Sequence, residues 1–341
     1  MGLTTTRYIR WDDPGALKLD GTPGSFYAII KAYLVAAGWS IEFDDPGNFK
    51  IALRNSMAHG GSGGYLRVHD DGSFTGGGRV ASWRVYESMT DIDTGTGQCC
   101  DDWVWKAREA GGAAGADAVR RCYVISCDQR TVYVSTWVGD DNANPRGINP
   151  TPPDVTMLNT AYLVAMAVGG DYDAFIAGDP GVWGAGMTTQ NPNNTTSTSV
   201  PSWLGAQLRY DLAISASNTV KLSRKNDLSS TPTQAALLTP WRTNNGYGIG
   251  TNNTPPMGAG DPFTTVPALI HDGTTLRGRA RGLFAPLNDM VTNGGAPLGA
   301  LKSPYLDGAG LQLVALAGAI VGNTNGTIRL FAETSKSWDD I

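Results

Sequence analysis

The chain is predicted to be mainly β, with antiparallel sheets or a sandwich, one N-terminal amphipathic helix and long irregular loops. Three observations predict this. Short runs alternate apolar and polar residues with a period of two, between clusters of glycine, asparagine and aspartate. One stretch, residues 25–37, changes to helical spacing. Glycine occurs 44 times and proline 19 times in 341 residues, which favours turns over long helices.

In the helical stretch Phe26, Ile29, Ile30, Tyr33 and Leu34 recur on one face, Ser25 is placed to cap the start and Gly38 to end it. The expected role is an amphipathic helix laid on a sheet. Beyond Trp39 the period becomes two. Phe49, Ile51 and Leu53 share a face. Leu66 and Val68 oppose Tyr65, Arg67 and His69, while Ala81, Trp83 and Val85 alternate with Val80, Ser82, Arg84 and Tyr86. A hairpin is expected around Asp128–Arg130, with Val132, Val134 and Val138 on one face and Tyr133 and Trp137 on the other.

From Gly139 onward the composition is loop-like. Residues 139–154, 191–202 and 243–262 are rich in Asn, Pro, Gly and Thr, around an apolar run at 161–168. Loops of this length are uncommon in compact domains and fit a chain whose neighbours hold them. The closing runs, 311–321 and 327–338, flank an Asn-Thr-Asn-Gly turn and read as a hairpin, with Ile328, Leu330 and Ala332 opposite Arg329, Phe331 and Glu333. A soft division near residue 140 separates a β-rich part, 1–140, from a loop-rich β part, 141–341, and the two parts could share a sheet.

Charge narrows the partners. The net charge is −5 and no basic stripe is present, so binding to nucleic acid through phosphates is not expected. The longest apolar runs fall short of the ~20 residues of a membrane helix. The opening MGLTTTRYIRWDD lacks a signal-peptide apolar region. Charged residues are only 17% of the chain, against a typical ~25%. Much of the surface is therefore neutral or apolar, which predicts a homo-oligomer whose surfaces are completed by neighbours.

No constellation points to catalysis, and no cofactor is expected. His59, His69 and His271 form no HExxH, and no Gly-x-Ser-x-Gly elbow occurs. His69 with Asp71, and His271 with Asp272 and Gly273, read as strand-end turns. The glycines of residues 60–65 lack the lysine and helix of a phosphate loop and read as a hairpin loop. Glu87, Glu109 and Glu333 are scattered, with no pair singled out for glycoside hydrolysis. Asp91 and Asp93 are the candidate calcium ligands, but Thr96 and Asp102 stand where an EF-hand needs glycine and glutamate. Of the four cysteines, Cys122 and Cys127 are strand residues on opposite faces. Cys99 and Cys100 are placed in a loop, and any disulfide is expected to involve one of them, within a chain or between two.

Several segments resemble uncharacterised virion structural proteins of tailed bacteriophages. They are GALKLDGTPGSFYAIIKAYLVAAGW at 15–39, GYLRVHDDG at 64–72, VYESMTDIDTGTG at 85–97, the hairpin CYVISCDQRTVYVSTWVGD, RGLFAPLNDM at 281–290 and the closing GTIRLFAETSKSW. Residues 140–270 diverge, and His69 stands where the family pattern has aspartate. The resemblance implies a non-enzymatic particle component, assembled in the host cytoplasm with itself and other virion proteins. The tail or neck/collar is the expected location. Capsid decoration, or a tail-tip or fibre module that recognises host glycan or protein, is the alternative.

Overall fold

The computed structural model describes residues 7–11, 13–19, 22–70, 78–108, 122–138, 163–186, 220–238, 265–273, 275–286, 301–302, 312–317 and 330–339. The fold is mainly β, as the alternation predicts. One α-helix, α1 (Ser25–Ala36), follows β1 (Arg7–Arg10). The next strands are β2 (Ser40–Asp45), β3 (Lys50–Arg54), β4 (Tyr65–His69), β5 (Gly78–Tyr86), β6 (Ser88–Asp91), β7 (Thr94–Thr96) and β8 (Cys100–Arg108). They are followed by β9 (Cys122–Cys127), β10 (Thr131–Val138), β11 (Leu163–Asp171), β12 (Asp173–Ala174), β13 (Val182–Ala185), β14 (Val220–Leu222) and β15 (Thr233–Leu238). The last are β16 (Thr265–His271), β17 (Leu276–Pro286), β18 (Leu301–Lys302), β19 (Leu313–Ala317) and β20 (Leu330–Glu333).

All described pairings are antiparallel. Five strands form one sheet in the order β2-β3-β4-β5-β8, and β6 and β7 make a separate hairpin. A 13-stranded sheet runs β1-β9-β10-β11-β13-β14-β15-β16-β17-β20-β19-β18, with β12 beside β17. It crosses residue 140, because β10 pairs with β11 from Thr131↔Gly170 to Val138↔Leu163.

The central strands β9–β11 divide two cores, and the period of two sorts their side chains. Tyr123, Ile125, Val132, Val134 and Ala167 face α1 and the five-stranded sheet, where Ile30, Leu34, Ile51, Leu53, Leu66, Val68, Ala81, Trp83 and Val85 are buried. Val124, Tyr133, Met166 and Val168 point the other way, to a core closed by β13–β17, β19 and β20. The hairpin expected at Asp128–Arg130 forms, with β9 and β10 in register from Val132↔Cys127 to Trp137↔Cys122. The closing runs also pair, Val314↔Ala332, and Leu330 and Ala332 face the second core. Trp83 ties the layers together: its ring is fully buried and its Nε1 donates to the carbonyl of Val168 at 2.9 Å.

Both ends of α1 show why it sits where it does. At its C-terminus Gly38 takes φ 99°, its N–H donates to Val35 O and Trp39 N–H to Leu34 O, both at 3.0 Å. That is a Schellman motif, and the left-handed residue it requires is the glycine expected to end the helix. The N-terminus differs from expectation. Ser25 does not cap it: Ser25 Oγ donates to Thr22 O at 2.9 Å, and the capping position belongs to Gly24 at φ 84°. The free N–H groups of Phe26 and Tyr27 instead donate to Asp70 Oδ2, at 2.8 and 3.1 Å. A carboxylate from the end of β4 thus does what a local serine was expected to do, with the added attraction of the helix dipole.

Candidate functional site

Among the described residues, β17 is the centre of a buried arginine–aspartate network. The segment Leu276–Pro286 alternates arginine with small residues at 277, 279 and 281. Gly278 permits the close approach of β12, since a Cβ there would lie 2.3 Å from Asp173 O. At Gly282 the backbone turns left-handed, φ 59°, and the alternation shifts, so that both Ala280 and Leu283 reach the core. The same glycine makes room for Trp338, whose ring would lie 2.2 Å from a Cβ. Tyr133, in ring contact with Trp338, donates its hydroxyl to Arg281 O at 2.8 Å.

Arg281 is 1% exposed and holds three carboxylates: Asp173 at 2.5 Å, Asp339 at 2.6 Å and Asp128 at 2.8 Å. Asp128 also closes the β9–β10 turn, accepting the N–H groups of Arg130 and Thr131 at 2.8 and 2.7 Å. Arg277 is fully buried and donates to Asp179 at 2.6 Å, to Asp272 at 3.1 Å and to Arg224 O at 3.0 Å. Asp179 in turn accepts the Tyr172 hydroxyl at 2.6 Å. Arg279 pairs with Asp173 at 3.0 Å, and Arg130 lies 3.5 Å from Asp339. The loop at residues 60–64 joins through Asp171, which accepts Ser62 N–H and Oγ–H at 2.7 and 2.6 Å. Burial raises the carboxyl of Asp171 above its usual range, against the pull of Ser62 and Arg130.

Chemically this is a cross-link. Burial works against the charge of Arg281, but Asp128 and Asp173 outweigh it and hold the guanidinium protonated. Such a group fixes carboxylates in place without exchanging a proton with them. None of these residues stands in a recognised motif, although RGRARG at 277–282 and Asp171 and Asp173 carry a readable signal: charges at a period of two inside strands.

The residues singled out from sequence are dispersed. Asp93 is engaged by two cations, Lys50 at 2.7 Å and Arg67. Burial pushes its carboxyl up, but Lys50 and Arg67 prevail and hold it below the usual range. Asp91 Oδ1 accepts the adjacent Ile92 N–H at 2.7 Å. Among the described residues, no group of three or more His, Cys, Asp or Glu side chains is arranged to hold a metal. Cys99 lies between β7 and β8, as expected of a loop residue, whereas Cys100 begins β8, and both are buried, at 5% and 0% exposure. Both belong to the buried cluster around Trp83 and Val85. Cys99, Cys100 and Cys127 are free thiols, and the Cys122 side chain lies outside the described residues.

Asp70 caps α1, whereas Asp71 is outside the described residues. His271, Asp272 and Gly273 form the expected turn, with Thr275 N–H donating to Asp272 Oδ1 at 3.0 Å. The glycine stretch at 60–64 links β3 to β4, an antiparallel pair, as expected of a hairpin loop. His59 Nδ1 is 2.8 Å from Ser56 Oγ. Glu87 pairs with Arg224 through both carboxylate oxygens, at 2.7 and 2.9 Å. Glu333 accepts Ser335 and Lys336 N–H groups at 2.7 and 2.8 Å, and Glu109 is outside the described residues.

No protein-family model matches the chain, and no curated protein matches it. No helix among the described residues is long and apolar enough to cross a membrane.

Proposed function

We propose that the protein is a non-enzymatic structural component of a tailed-phage virion, located in the tail or neck/collar and assembled in repeated copies with other virion proteins. The observation that carries this reading is how the resembling segments are used. Gly38 and Trp39 end α1. The strand of residues 64–72 supplies Asp70, which caps it. Residues 85–97 end β5 and form the β6–β7 hairpin, whose Met89 packs with Ala52, Tyr65 and Tyr86 on the outer face of the five-stranded sheet. The segment from 281 supplies Arg281, and the closing segment supplies Trp338. Each is spent on holding the fold, as suits a scaffold part. The few charges per residue leave a surface suited to burial by neighbours.

Mass spectrometry of purified particles, followed by a density map of the intact particle, tests the reading. The chain is expected in the particle at a copy number set by a symmetric ring or tube, in contact with like copies. Its absence from purified particles would overturn the proposal. A single copy at the tail tip, with binding of the purified protein to host cells, would replace it with the recognition reading.

A further inference from the structure

We propose that Lys221 and Asp102 condense into an amide cross-link that staples the five-stranded sheet to the 13-stranded one. Asp102 lies on β8, and Lys221 lies on β14, 119 positions away, with Nζ 2.7 Å from Asp102 Oδ1. The Asp102 side chain is 2% exposed and that of Lys221 27%. The second carboxylate oxygen, Oδ2, accepts two donors, the N–H of Gly186 at 3.0 Å and the thiol of Cys100 at 3.2 Å. The close approach of Gly186 depends on its being glycine, because a Cβ there would lie 2.8 Å from both Asp102 Cβ and Trp103 O.

This arrangement separates the two oxygens by role. The ammonium of Lys221 passes one proton to Oδ1, leaving an amine beside a carboxylic acid. The amine attacks Cγ and the new C–N bond forms. Negative charge collects on Oδ2, where the Gly186 and Cys100 donors stabilise it in a water-poor site. A second proton moves from nitrogen to Oδ1, the Cγ–Oδ1 bond breaks and water leaves. The three ammonium hydrogens end as one amide N–H and one water, and no oxidant is consumed. The product replaces an ion pair whose carboxylate is buried, and so costly to desolvate, with a neutral amide whose carbonyl keeps both donors.

Two other lysine–aspartate contacts serve as internal controls. In Lys31–Asp44 and Lys50–Asp93 the carboxylate is open to water, at 26% and 41% side-chain exposure against 2% for Asp102. Water stabilises their charged forms and competes for the carboxylate, so they remain ion pairs.

The test is the intact mass of the purified full-length chain, denatured and reduced, both fresh and after long incubation below its unfolding temperature. The expected mass is one water below that of the sequence, and digestion releases a branched peptide containing Asp102 and Lys221. Lys221→Arg keeps the cation but cannot condense, and should show the full mass. Cys100→Ala should slow the loss several-fold, and Lys31→Arg or Lys50→Arg should leave it unchanged. The full sequence mass in the incubated parent chain overturns the proposal. So does a water loss that persists in Lys221→Arg.

Discussion

Residues 25–108 bury Ile30, Leu34, Ile51, Leu66 and Trp83 on faces that their own spacing sets. Residues 271–286 bury Arg277 and Arg281 instead, and, Asp272 apart, the carboxylates that make this tolerable stand far off in the chain. Asp339 is 58 positions from Arg281 and Asp128 is 153. An apolar side chain favours its buried site as soon as any core is available. A buried cation is stable only when every partner has arrived, since a missing one leaves an uncompensated charge in a low-dielectric setting. The first region can therefore form from local pattern, while the second depends on the completed topology. Tolerance to substitution should divide the same way.

The largest effect is expected from placing a charge in the apolar region. Ile30 is fully buried between α1 and the sheet. Ile30→Asp should cost about 4–5 kcal/mol, the upper range for single substitutions, by introducing an unpaired carboxylate. Chemical denaturation measures this, and a variant as stable as the parent would show that α1 is not packed as described.

Removing a charge from the network should cost nearly as much. Arg281→Ala takes the buried cation from Asp128, Asp173 and Asp339, leaving Asp173 to Arg279 and Asp339 to Arg130, and is expected to lose about 3–5 kcal/mol. Combining it with Asp128→Ala should cost less than the sum, because one cut already breaks the shared pairing. Strict additivity would mean that the network does not act as a unit.

Asp70→Ala removes the acceptor for two helix N–H groups and should cost about 0.5–2 kcal/mol. Asp70→Asn should retain part of it, through the amide oxygen. Loss of helical circular dichroism at lower denaturant checks the result.

The smallest effect is a pH dependence. Burial pushes the Glu87 carboxyl up, but its paired bonds to Arg224 prevail and hold it below the usual range. A depressed folded-state value means that the stabilisation is complete above the ordinary glutamate range and lost as pH falls through the folded value. Glu87→Gln should flatten that acid limb by lowering stability slightly near neutral pH, where the paired carboxylate contributes fully, and leaving it unchanged at low pH. An acid limb identical in the variant would assign the loss to other carboxylates.

Much of the first region is legible in the sequence. The helix, its glycine stop, the alternating faces of β3–β5 and the β9–β10 and β19–β20 hairpins all follow from spacing that spans fewer than ~20 residues, or from turn chemistry. Ser25 shows the limit. Its type and place suit a cap, yet a carboxylate brought by β4 competes for the same donors and carries a full charge to the helix dipole. Cys99 and Cys100 show another. A glycine-rich approach reads as a loop, and nothing local reveals that Val85 and Gly184 close over Cys100, with a Cβ on Gly184 reaching 2.7 Å from it.

What the sequence determines by itself is the alternation of faces, because side chains on an extended strand must point in opposite directions, and the helix that interrupts it. Tertiary structure alone decides which strands are neighbours, and so which charges meet. Nothing near Arg281 in the chain marks it as buried until the β9–β10 turn, β12 and the C-terminal residues converge on it. Asp102 reads as one more acidic position until β14 brings Lys221 to its side. Apolar burial is non-directional and follows pattern. Ion pairing in a low-dielectric interior is directional, short-ranged and set by positions that only the assembled sheets define.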